Sequence, residues 1–171
     1  MAYFYFDFQN QNTPRAVLRS LIKQMSLQSL AIRTALVTLF SGHAEGQESP
    51  KDEELMSMLK SAIQSFENVY IVFDALDECL ERDELLRSLD TMHGWKLGML
   101  HLLTTSRREG EIEEALTGLV SHQVPMDGRL VDGDIRMHVR KTVGEDVKFQ
   151  IWSVEEREMI ETTLTKGAHG M

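Results

Sequence analysis

The chain has 171 residues, enough for one domain with a proper core and too few for two comfortable ones. With 42% apolar and 26% charged residues and only 3 prolines, disorder is excluded outside short loops. A formal net charge of -9 and a pI near 5.1 set the molecule against polyphosphate backbones and anionic lipid surfaces, so neither nucleic acid nor a membrane is an expected partner.

MAYFYFDF opens the chain without the basic start and long apolar run of a secretory signal. Its aromatic content, bounded by the polar run QNQNT, predicts a strand near residues 2–8. Thr13 and Pro14 read as the N-cap and first position of a helix whose Val17, Leu18, Leu21, Ile22 and Met25 share one face. A second helical stretch runs from about Leu27 to Phe40. The small, polar segment SGHAEGQESP, residues 41–50, is a surface loop. Ser49 and Pro50 then open a helix with Leu55, Met56, Leu59, Ile63 and Phe66 as its apolar stripe.

VYIVF, residues 69–73, is a strand without polar alternation, the pattern of a sheet covered on both faces. Cys79 is the single cysteine, which excludes an internal disulfide framework and suits a reducing compartment. Residues 83–92 are helical through Leu85, Leu86, Leu89 and Met92, and MLHLLTT, residues 99–105, is another apolar strand. A helix at 111–120, a short strand near 122–126 and two amphipathic helices, about 132–143 and 155–167, complete the chain. No window approaches the roughly 18–20 apolar residues that a membrane span needs, so a soluble, cytoplasmic protein is expected. Strands alternating with long helices predict a doubly wound, mostly parallel α/β sheet with helices on both faces.

The chemistry gathers where VYIVF ends. Asp74, Asp77 and Glu78 follow it within five positions, at the carboxyl end of a strand, where open parallel sheets bind their ligands. Three acids so close repel one another unless a cation or protons intervene. Mg²⁺ suits the first need, since it takes one or two protein carboxylates and completes its shell with water and substrate phosphates. One Asp at the strand end can hold the hydrated metal, and another acid just beyond can orient a water for attack on a γ-phosphate. The plain alternative is that the acids only solvate the strand exit, with Asp77 or Asp83 capping the next helix. MLHLLTTSRRE ends instead in hydroxyls and arginines, so adjacency of the two strands would bring Arg107 or Arg108 beside the acids, where a guanidinium can grip phosphate. The six histidines show no metal-binding spacing.

VYIVFDALDE resembles the Walker B segment of the NACHT class of signalling NTPases, in which an apolar strand runs into Asp, a small residue, an apolar residue and Asp-Glu. LLTTSRRE resembles the sensor-1 strand of that class, and AYFYFDF with its Leu-rich helix resembles the strand after the phosphate-binding loop. DIRMHVRKTV, IWSVEEREMI and KGAHGM are similar to the helical segment after the sheet in the nephrocystin-like subgroup, common in large fungal proteins of the NOD-like, heterokaryon-incompatibility kind. The resemblance implies a partial P-loop NTPase core over residues 1–128 and a helical segment over 129–171. It implies Asp74 as the Mg²⁺ ligand through water, Ala75 as the small residue, Asp77 and Glu78 as the acids that activate water, and Arg107 as the γ-phosphate contact. Thr104, Thr105 and Ser106 are weaker candidates.

No G-x-x-x-x-G-K-[ST] occurs in the 171 residues. In the family that loop and its strand precede the AYFYFDF strand, so the resemblance implies a chain that begins just after them. The sheet order 5-1-4-3-2 would then lack strand 1, leaving the edge of MLHLLTT either open or filled by residues 122–126. Expected, therefore, is a nucleotide-dependent switch using Mg²⁺ with ATP or GTP in the intact parent, and a chain that is inactive alone. The alternative is a non-catalytic module that keeps the fold and contributes surfaces for self-assembly.

Overall fold

The computed structural model describes residues 1–7, 13–43, 49–125, 128–149 and 151–167. They form two compact units, Met1–Val120 and Ser121–Met171.

The first unit holds a three-stranded parallel sheet in the order β1 (Ala2–Tyr5), β2 (Val69–Asp74), β3 (Leu100–Thr104). Helices α1 (Pro14–Ser26), α2 (Leu30–Ser41) and α3 (Asp52–Gln64) connect β1 to β2; α4 (Arg82–Gly94) connects β2 to β3, and α5 (Gly110–Leu116) follows. The first helix starts as its sequence predicts. Thr13 is the N-cap and its hydroxyl accepts the Ala16 N–H at 3.2 Å, with Pro14 at the first position, where a missing N–H costs nothing. The third begins later than Ser49–Pro50. Arg15 of α1 donates to the Pro50 carbonyl at 2.6 Å and to Asp52 at 2.8 Å, and Glu54 accepts the Lys51 N–H at 2.7 Å. That backbone bond, more than the neighbouring His43, holds the Glu54 carboxyl below its ordinary pKa.

Val17, Leu21, Ile22, Leu55, Leu59, Ile63, Leu85 and Met92 all enter one cluster with Ala2, Ile71 and Phe73 of the sheet. The expectation of helices on both faces is corrected here. Ala2, Ile71 and Leu102 are in register and face the helices, whereas the adjoining row Tyr3, Val72 and Leu103 faces away, and Tyr3, Tyr5, Tyr70 and Leu103 are 45%, 61%, 53% and 58% exposed. The reason is topological. A strand order that runs one way, joined by crossovers of one hand, puts every helix on the same side; two-sided winding needs a reversal of order. The unbroken apolar run VYIVF concealed this, because a tyrosine ring serves on either kind of surface.

The two sheet edges differ. On β1, the Gln24 side chain of α1 accepts the Tyr3 N–H at 3.0 Å and donates to the Tyr3 carbonyl at 2.7 Å, which occupies the edge as a further strand would. The outer edge of β3 is unpaired among the described residues. The strand expected near 122–126 is not formed over 122–125, and residue 126 lies outside the described residues, as does residue 8 of the strand expected over 2–8. Residues 122–125 carry a serine-flanked, proline-ended polar stretch with one exposed valine, Val124, too little apolar surface to hold an edge strand.

The second unit pairs α6 (Gly128–Glu145) with α7 (Val154–Gly167) around a short 3-10 turn at Val147–Phe149. Glu161 of α7 is the electrostatic tie, 3.2 Å from Arg136 and 3.6 Å from Arg140 of α6. Among the described residues no helix is long and apolar enough to cross a membrane.

Candidate functional site

β2 and β3 lie side by side, so their carboxyl ends open together. The ladder carries on past Asp74 and Thr104 by two further bonds, Thr105 N–H to the Phe73 carbonyl and Leu76 N–H to the Thr105 carbonyl, each 2.9 Å. Between them Ala75 takes a left-handed conformation, φ 58° and ψ 50°, which turns the chain sharply out of the strand into a 3-10 turn at Leu76–Glu78. An alanine in that region costs about 1–2 kcal/mol in steric strain. The Thr105 hydroxyl holds it there, accepting the Ala75 N–H at 3.0 Å while donating to Asp74 Oδ1 in a short bond. Replacing Ala75 with glycine is therefore expected to raise stability by about 0.5–1 kcal/mol, the relieved strain exceeding glycine's entropic cost. An unchanged or lowered urea midpoint would count against the strain.

Of the four charged residues expected from sequence, Asp77 and Arg107 pair directly here, and Asp74 and Glu78 do not pair with either. Asp74 is half-buried; its Oδ1 is taken by Thr105, and its Oδ2 has no partner among the described residues. Asp77 is buried, its side chain 5% exposed, and its Oδ1 accepts the Arg107 N–H at 3.0 Å while Oδ2 lies 3.6 Å from Arg107 Nε. Glu78 is half-buried, with no hydrogen-bond or ion-pair partner for its carboxylate among the described residues. Arg107 is 62% exposed at the side chain, and its two Nη groups have no hydrogen-bond partner among the described residues. Arg108 pairs away from the acids, with Glu113 at 3.1 Å.

The fold relieves part of the expected crowding of carboxylates through the Asp77–Arg107 pair. Asp77 is turned toward Arg107, and among the described residues no group of three or more His, Cys, Asp or Glu side chains is arranged to hold a metal ion. The neighbouring Cys79 is buried, which pushes its thiol above the ordinary pKa against the opposing effect of a hydrogen bond with the Glu81 backbone. It is held as a protonated thiol and not as a nucleophile.

One participant has no signal in the sequence, and a second is only one of three weaker candidates there. Arg82, at the start of α4, donates through Nη2 to the Asp77 carbonyl at 2.5 Å and through Nη1 in a short ion pair to Glu109. Thr105 was one of three equivalent hydroxyls in sequence; the register of β2 against β3 singles it out. Arg82 sits in the acidic run DECLERDE, where local charge gives it several equally good partners, so Glu109, 27 residues on, had no signal. The pocket lined by Met1, Met25, Gln28, Phe66 and Asn68 lies at the opposite, amino end of β1 and β2.

Residues 1–107 match the model of the family described as Nephrocystin 3, N-terminal. That span takes in β1 to β3 and ends on Arg107. No curated protein and no solved structure matches the chain.

Proposed function

We propose, from the premise that this chain belongs to the Nephrocystin 3, N-terminal family over residues 1–107, that it carries the metal-and-water half of a nucleotide site from a NACHT-type signalling NTPase. The β2 exit is the Walker B segment in this reading, and the β3 exit is sensor 1. In the intact parent the site takes Mg²⁺ with ATP or GTP, and nucleotide exchange or hydrolysis switches the protein between two arrangements.

The observation that carries the reading is the pairing of the two strand exits, acids on one and a solvent-facing guanidinium on the other, linked by Asp74–Thr105 and Asp77–Arg107. The donor set fits the metal. A carboxylate with one oxygen unengaged beside a hydroxyl offers hard oxygen ligands, and Mg²⁺ needs no more than one or two from protein. Asp74 would hold it, and Mg²⁺ when bound would neutralise phosphate charge. Arg107 offers its Nη groups to a phosphate oxygen. Of the two acids proposed to activate water, Glu78 has its carboxylate unengaged among the described residues and Asp77 is already bonded, which favours Glu78 as the base.

The test is hydrolysis by the intact parent. Asp74→Asn and Arg107→Ala are each expected to lower turnover by about a hundredfold or more, the size seen when one preorganised charge-stabilising group is removed. Turnover within a factor of three of the unaltered parent for both variants would end this reading. It would leave the second, a non-catalytic self-assembly module, which the open tyrosine-bearing face and unpaired β3 edge favour.

A further inference from the structure

We propose that Arg82 is a positioning residue for Arg107, acting through the loop after β3. Its functional meaning rests on the nucleotide-site reading above; its geometry does not. The segment Arg107–Arg108–Glu109 is fixed at both ends. At the first residue, the buried Asp77 carboxylate takes the Arg107 N–H at 3.0 Å and stands 3.6 Å from its Nε. At the last, Arg82 Nη1 pairs with the Glu109 carboxylate. The same guanidinium reaches back through Nη2 to the Asp77 carbonyl at 2.5 Å. One side chain thus holds both the residue that grips Arg107 and the residue two places beyond it.

Arginine is needed for this. A planar fork presents donors to two acceptors at a fixed separation, whereas a lysine ammonium, with three donors on one nitrogen at the end of a flexible stem, fixes no such separation. Arg82 is 23% exposed at the side chain, and its Nε is buried without a hydrogen-bond partner. A buried donor left unpaired lowers stability. The guanidinium thus leaves one donor unpaired while its two Nη groups reach both loops. Glu111, 4.0 Å away and 81% exposed, adds only screened attraction.

Amide hydrogen exchange on the full 171-residue chain tests this. In Arg82→Lys, which keeps the charge, the Arg107 amide is expected to lose protection by about tenfold or more, the weight of one charge-assisted bond. The amides of Leu21 and Leu59, in the core of α1 and α3, should keep theirs. Unchanged protection at Arg107, or a loss of the same factor at Leu21 and Leu59, overturns the proposal, the latter because it marks a general structural role. If Arg82→Lys does not fold, Glu109→Gln removes the far end of the same pair and must produce the same local loss. A separate titration with Mg·ATP in the millimolar range reads the Arg107 amide resonance. A response in the unaltered chain that weakens about tenfold in the variant joins positioning to phosphate contact. An equal response in the unaltered chain and the variant counts against that link, while the exchange result decides the positioning on its own.

Discussion

Calorimetric titration of the 171-residue chain with Mg·ATP or Mg·GTP is expected to give a dissociation constant of about 1 mM or weaker. In the proposed reading these residues make one side of a phosphate site, with Asp74 for a metal, Arg107 for one phosphate oxygen, and a Thr105 hydroxyl already donated to Asp74. The other side, in P-loop proteins, is a row of backbone N–H groups and a lysine on the phosphates, and no G-x-x-x-x-G-K-[ST] exists in this sequence to provide it. Three or four charge-assisted bonds at roughly 1.5–3 kcal/mol each come to about 5 kcal/mol or more, a few thousandfold in affinity. A low-micromolar, Mg²⁺-dependent affinity in the pure chain would mean that a different set of groups holds the phosphates.

Truncation of Phe73 should cost the first unit about 3–5 kcal/mol, while truncation of Leu103 should cost well under 1 kcal/mol. The two residues lie in strands that pair directly, and composition gives no reason to expect a difference. Phe73 is fully buried on the helix-covered face, so Phe73→Ala opens a cavity among α1, α3 and the sheet; Leu103 is 58% exposed on the open face. Since a domain of this size is stable by about 5–15 kcal/mol, Phe73→Ala consumes a large share of the whole and should lower the thermal midpoint by more than about 10 °C. Thermal and urea unfolding of both variants measure this. Equal losses would mean that the second face is also covered and that the one-sided sheet is wrong. Because Asp74 follows Phe73 directly, the same substitution should loosen the β2 exit as well as the core.

The elements were legible to differing degrees, for physical reasons. α1 announced itself through Thr13, Pro14 and a five-residue apolar stripe, because capping and periodicity are local properties. α5 stops at Leu116, short of the residue 120 that its sequence predicts, since Gly118 takes a positive φ of 91° that ends helical geometry. Of the site, Asp74 and Arg107 could be named from the ends of two apolar strands. The partner of each could not: Thr105 for Asp74 depends on register, and Asp77 for Arg107 on a turn set by a left-handed alanine.

By itself the sequence determined the three strands and most of the helices, though not the absence of a strand over 122–125, and it determined that the strands run parallel and that acids and an arginine stand at strand ends, because side-chain period, capping chemistry and chain connectivity are written locally. Only the tertiary structure decided that the sheet is covered on one face, that the β3 edge is unpaired among the described residues, and that Asp77 spends its charge on Arg107 while Glu78 keeps its own unengaged. Those outcomes depend on strand order and on contacts across about 30 residues of chain, where the pairing is chosen by the geometry of two loops meeting and no local pattern encodes it.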